Sequence, residues 1–126
     1  MRYHDYHLNK YEVSDHGETI IFHLIYDYPE EKIDESKIKF SNVALYNFSH
    51  TTSAIITDIE EATISDLVQE IGSYITEWNR MYGVRLWRDN LQNYGLWLQS
   101  EGYKAWRIIS AIGFYGFIIA KSVSNA

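Results

Sequence analysis

The side chains best suited to chemistry gather first in His4-Asp5-Tyr6-His7. Two imidazoles and a carboxylate so close together can hold a metal ion or move a proton. His16, His23 and His50 follow at wider spacing. In an extended strand His4 and His7 point to opposite faces, because the side-chain period is two, and they could not chelate one ion. In a turn they could, with His23 or His50 as a further ligand in an N/O zinc or iron site. The metal reading therefore names His4, His7, His23 and His50, with Asp5 or Asp58 in support. The plainer reading is of hydrogen-bonded surface histidines with no cofactor.

Other constellations say less. Ser49, Thr51 and Thr52 flank His50, but no nucleophile elbow is present, and adjacency in sequence does not make a catalytic dyad. Asp58, Glu60 and Glu61 could work as paired acids or hold a hard cation, yet they precede a predicted helix whose positive end they would complement. Gly113-Phe114-Tyr115-Gly116 lacks the lysine and the strand-to-helix setting of a phosphate cradle. The chain has no cysteine, which removes thiol nucleophiles, thiolate metal sites and disulfides.

Charge and aromatics are more telling. The formal net charge is −6, which argues against general nucleic-acid binding, since phosphate neutralisation needs a basic surface. Acidic residues concentrate in Pro29–Lys37, where Glu30, Glu31 and Glu35 read as an exposed loop able to meet a basic partner. Eleven tyrosines and four tryptophans exceed what one helix-on-sheet core readily hides. Trp87, Arg88, Trp97 and Trp106 fall in a stretch that also holds Arg85, Tyr94, Tyr103, Lys104 and Arg107. Aromatic and arginine side chains dominate the energetic centres of protein interfaces, so Arg85–Arg107 is a candidate contact surface.

The elements that would position these residues follow from periodicity. Tyr3–Ser14 and Thr19–Tyr28 read as strands joined at Asp15-His16-Gly17, with Ile20, Phe22 and Leu24 sharing one face. Ile38–Phe48 and Ala54–Glu60 read as two more, with a bulge at Ser41-Asn42. Thr63–Gly83 repeats apolar residues at helical spacing (Ile64, Leu67, Val68, Ile71, Tyr74, Ile75, Trp78), capped by Thr63 and stopped by Gly83. Leu91–Glu101 suggests a shorter helix ended by Gly102. Tyr103–Ser122 reads as a closing hairpin turning between Gly113 and Gly116. The expectation is one α+β domain, residues 1–126, with a largely antiparallel sheet of about five to six strands. One long helix (about 63–82) and a shorter one pack on one of its faces. The apolar run Ile108–Ala120 falls short of the ~20 residues that span a bilayer. With a polar N-terminal stretch that lacks an apolar export core, the chain is expected to be cytoplasmic, without a membrane span.

Residues 4–61 also resemble a group of small, mostly uncharacterised bacterial proteins, some regarded as immunity proteins that neutralise toxins delivered between cells. The resemblance lies in H-D-Y-H-L-x-x-Y-x-V, I-I-F-H-L-I-Y, I-x-F-x-x-V-A-L-Y-x-F and I-I-T-D-I-E-E. It implies a cytoplasmic, non-enzymatic binder of a cognate protein, such as a basic toxin domain, and supplies no catalytic residues. The leading expectation is thus a protein-binding domain of immunity type. A small metal-dependent or ligand-binding enzyme using the histidines is the alternative, and a structural homodimer the third.

Overall fold

A computed structural model describes residues 3–72 and 90–126 of the chain. Among these residues, four strands make one antiparallel sheet in the order β1 (Tyr6–Ser14), β2 (Thr19–Tyr26), β3 (Asp34–Ala62), β4 (Lys104–Asn125). Between β3 and β4 lie the helical residues 64–72 (α1) and the helix Leu91–Ser100 (α2). The first hairpin turns at Asp15–Gly17, where His16 and Gly17 both take positive φ (58° and 93°), a conformation that glycine adopts without cost. Alternation in β2 runs as its sequence predicts: Ile20, Phe22 and Leu24 are buried, while Ile21, His23 and Ile25 are only half-buried.

The sheet curls on itself. β1 pairs with β2 along most of its length, yet Tyr6 and His7 also pair with Ile56 and Ile55 in the far part of β3. One apolar cluster fills this curl, with Leu8, Phe22, Phe40, Ile56, Trp106, Phe114 and Ile118 among its members. A second lies between the helices and the sheet: Ile64, Leu67, Val68, Ile71 and Leu98 pack with Leu45, Ala105, Phe117 and Ile119. Both helices are capped by side chains, as Asp66 N donates to Thr63 Oγ1 (3.2 Å) and Asn93 N to Asn90 Oδ1 (2.8 Å). α2 ends in paired bonds from Gly102 N to Gln99 O and from Tyr103 N to Leu98 O, with Gly102 at φ 85°.

The expected layout needs correction on several points. The fold is dominated by long antiparallel strands, not by one long helix on five to six short ones. The described helical segments are short, and residues 73–82 of the expected long helix lie outside the described residues. The two strands expected between residues 38 and 60 are one strand of 29 residues, and the expected closing hairpin is one strand of 22. The physical reason is visible at Phe117–Ala120, four buried residues in succession. Ile118 and Ala120 face the curl, and Phe117 and Ile119 face the helices. A strand covered on both faces reads as a continuous apolar run, which periodicity alone cannot tell from two strands and a turn. Gly113 and Gly116 do not bracket a turn. Gly113 sits where the β3–β4 ribbon bends: between the pairs His50↔Phe114 and Ile55↔Ile112, β3 advances five residues and β4 only two, while Gly116 pairs in register with Phe48. The acidic linker is also shorter than expected, because Asp34–Lys37 already pair with β2.

Candidate functional site

At the open end of the β1–β2 hairpin, strand register brings four tyrosines from two chain segments together. Tyr3 meets Tyr6 edge-on (5.4 Å between ring centroids), Tyr6 meets Tyr26 (5.4 Å), and Tyr26 meets Tyr28 (4.9 Å). His7 completes the row against Tyr28 at 5.2 Å. Each ring is half-buried, so one side supports the next ring and the other meets solvent.

Carboxylates rim this row. The Tyr6 hydroxyl donates to Asp34 Oδ2, and His7 Nδ1 lies 3.0 Å from Asp27 Oδ1. The Tyr28 hydroxyl donates to the Asp5 carbonyl (2.9 Å), and His4 Nδ1 pairs with Asp5 at 3.0 Å. Glu30, Glu31 and Glu35 are exposed in the segment that follows Tyr28, as is Ile33, 63 % open. The hydrogen bond to Asp34 pushes the Tyr6 phenol above its ordinary range. Desolvation, then the charges of Asp5 and Asp27, push the Tyr28 phenol upward. Both phenols are thereby held as hydroxyl donors. Rings edged by carboxylates suit a guanidinium or ammonium group, which gains an ion pair and a cation–π contact together.

The residues singled out in the sequence are dispersed. Glu30, Glu31 and Glu35 belong to this end. Trp87 and Arg88 lie outside the described residues. Trp97 is half exposed on α2, stacked on Tyr94 (6.1 Å, 13° between planes) and beside Tyr103. Trp106, by contrast, is 5 % exposed and packs edge-on to Phe40 inside the curl, so it offers no contact surface. Nor does Arg107 join a patch: its guanidinium bonds Glu70 Oε2 at 2.6 Å, and Glu70 also accepts from Tyr115, tying α1 to β4.

The histidines go to separate partners. His4 and His7 take Asp5 and Asp27, His23 Nε2 lies 3.0 Å from Glu12, and His50 sits among the Tyr11 and Phe114 rings. Among the described residues, no group of three or more histidines and carboxylates is placed to hold a metal ion. Asp58 Oδ1 accepts from Ile59 N (2.8 Å), and Glu61 faces Lys104 at 3.9 Å. No described helix is long and apolar enough to cross a membrane.

Sequence reasoning singled out Glu30, Glu31 and Glu35 and did not see the tyrosines as a unit. Their signal was the spacing Tyr3-x-x-Tyr6 and Tyr26-x-Tyr28 at the start of one strand and the end of its partner, which carries meaning only once the register is known. No family model matches the chain, and neither a curated protein nor a solved structure matches it.

Proposed function

We propose that this chain is a non-enzymatic protein-binding domain whose acidic, tyrosine-rich end receives a basic segment of another protein. The observation that carries the reading is the row Tyr3, Tyr6, Tyr26, Tyr28 and His7 edged by Asp5, Asp27 and Asp34, with Glu30, Glu31 and Glu35 exposed in the segment that follows Tyr28. Tyrosine supplies contact area at low conformational cost, and the carboxylates give a cationic partner its steering and register. The finer reading, drawn from the resemblance in residues 4–61, is an immunity-type inhibitor that occupies the cationic face of a bacterial toxin in the cytoplasm.

The test is a comparison of two baits. Tagged wild type and the triple variant Glu30→Lys, Glu31→Lys, Glu35→Lys are used to capture partners from the source cell's lysate at moderate salt. Association rates of any retained protein are then measured over a salt series. A basic partner kept by wild type, with slower association and a flatter salt dependence in the variant, supports the proposal. A partner that binds both baits with equal on-rates removes the acidic end from the mechanism.

A further inference from the structure

Among the described residues, β1 has for most of its length a neighbour on one side only. It pairs with β2 from His7 to Ser14, but its other edge meets β3 only at Tyr6 and His7. Beyond that zipped end the strands diverge. β2 and β3 stop pairing at Thr19 and Ser41, and Val43 N then donates to Glu18 O (2.9 Å). A groove of about 510 Å³ opens between β1 and β3, lined by Tyr11, Val13, His16 and the 43–48 stretch of β3. Among the described residues, no strand pairs with the outer edge of β1 from Leu8 to Ser14. Such an edge is a row of open amides and carbonyls that accepts a further strand unless its side chains forbid it.

The side chains of β1 decide which strand fits. Lys10 and Glu12 are exposed, share one face, and lie 3.4 Å apart at their charged ends. A charged edge turns away arbitrary strands, so an antiparallel newcomer must set an anion against Lys10 and a cation against Glu12. β1 itself meets that requirement. When two copies run antiparallel about Tyr11, Lys10 of each faces Glu12 of the other, Tyr11 faces Tyr11, and Val13 faces Asn9. The register break at Asn9 confines the match to this short centre. Val13 and Tyr46, 40 % and 38 % exposed, flank the groove and pass under cover.

We infer that the free edge of β1 binds a second copy of this chain, giving a two-fold dimer with a sheet continuous through β2-β1-β1-β2. The contact does not depend on what binds the acidic end. Sedimentation of the full chain over a wide concentration range tests it, with Lys10→Glu, Glu12→Lys and the double variant Lys10→Glu/Glu12→Lys beside wild type. Wild type and the charge-swapped double variant should dimerise alike. Each single variant sets two pairs of like charges face to face and should self-associate about tenfold more weakly or worse. An equimolar mixture of the two single variants should recover a dimer containing one of each. Far-UV circular dichroism melts confirm that the variants are folded. A wild type that stays monomeric, single variants that dimerise as well as wild type, or a mixture that forms no heterodimer overturns the inference.

Discussion

Gly113 separates a bent strand from a hairpin turn, and its substitution by alanine measures the difference. Gly113 has φ 84°, and a Cβ there would lie 2.9 Å from Ala54 Cα, 3.2 Å from Ala54 N and 3.2 Å from Thr52 O. All three neighbours are backbone of the facing strand, which cannot rotate aside. Gly102, just past α2, provides the control: its φ is 85°, and a Cβ there meets nothing within 4 Å. Both alanine variants carry the same left-handed backbone strain, about 1–2 kcal/mol. Both also gain equally from a stiffer unfolded chain. The remaining difference is the crowding at the β3–β4 bend, about 1–3 kcal/mol by analogy with overpacked cores. Urea unfolding of the two variants beside wild type should therefore show Gly113→Ala less stable than Gly102→Ala by that amount. For a chain of this size it should also melt roughly 3–12 °C lower. Equal losses at the two sites would mean that the strands do not approach at residue 113, and the single bent ribbon would be refuted.

Three further outcomes follow from particular contacts. The Glu70 carboxyl is held below the usual carboxylate range by its bond to Arg107 and then by that from Tyr115. A depressed folded value stabilises above the unfolded value, and that contribution fades as pH falls through the folded one. The stability gap between wild type and Glu70→Gln should thus be widest near neutrality and close below about pH 4, where unfolded glutamates protonate; a gap independent of pH refutes the assignment. Leu67 is fully buried between α1 and the sheet, so Leu67→Ala should cost about 2–5 kcal/mol and Leu67→Asp should abolish soluble folded protein. A normal melt for Leu67→Asp would break the helix-on-sheet contact. Because the histidines have separate partners, adding zinc to metal-free protein should leave its melting temperature unchanged. Stoichiometric uptake lost in His7→Ala would restore the metal reading.

Local pattern determined much of what this chain builds. Alternation in Thr19–Tyr26, the turn at Asp15–Gly17, the cap at Thr63 and the stop at Gly102 are each decided within a few residues, and all stand in the fold. The acidity of Glu30, Glu31 and Glu35 was equally plain. Tertiary structure decided how those pieces are shared between faces. Phe117–Ala120 became the middle of one strand because helices cover one side and the curled sheet the other, and apolar content does not record how many faces are covered. Trp106 went inside the curl and Trp97 outside, though both stood in the same aromatic stretch. The tyrosine row and the edge of β1 left unpaired among the described residues both come from register: which residue of β1 meets β2, and where β3 bends away. A one-residue slip would turn every one of those side chains to the other face, so long-range pairing, not composition, created both candidate surfaces.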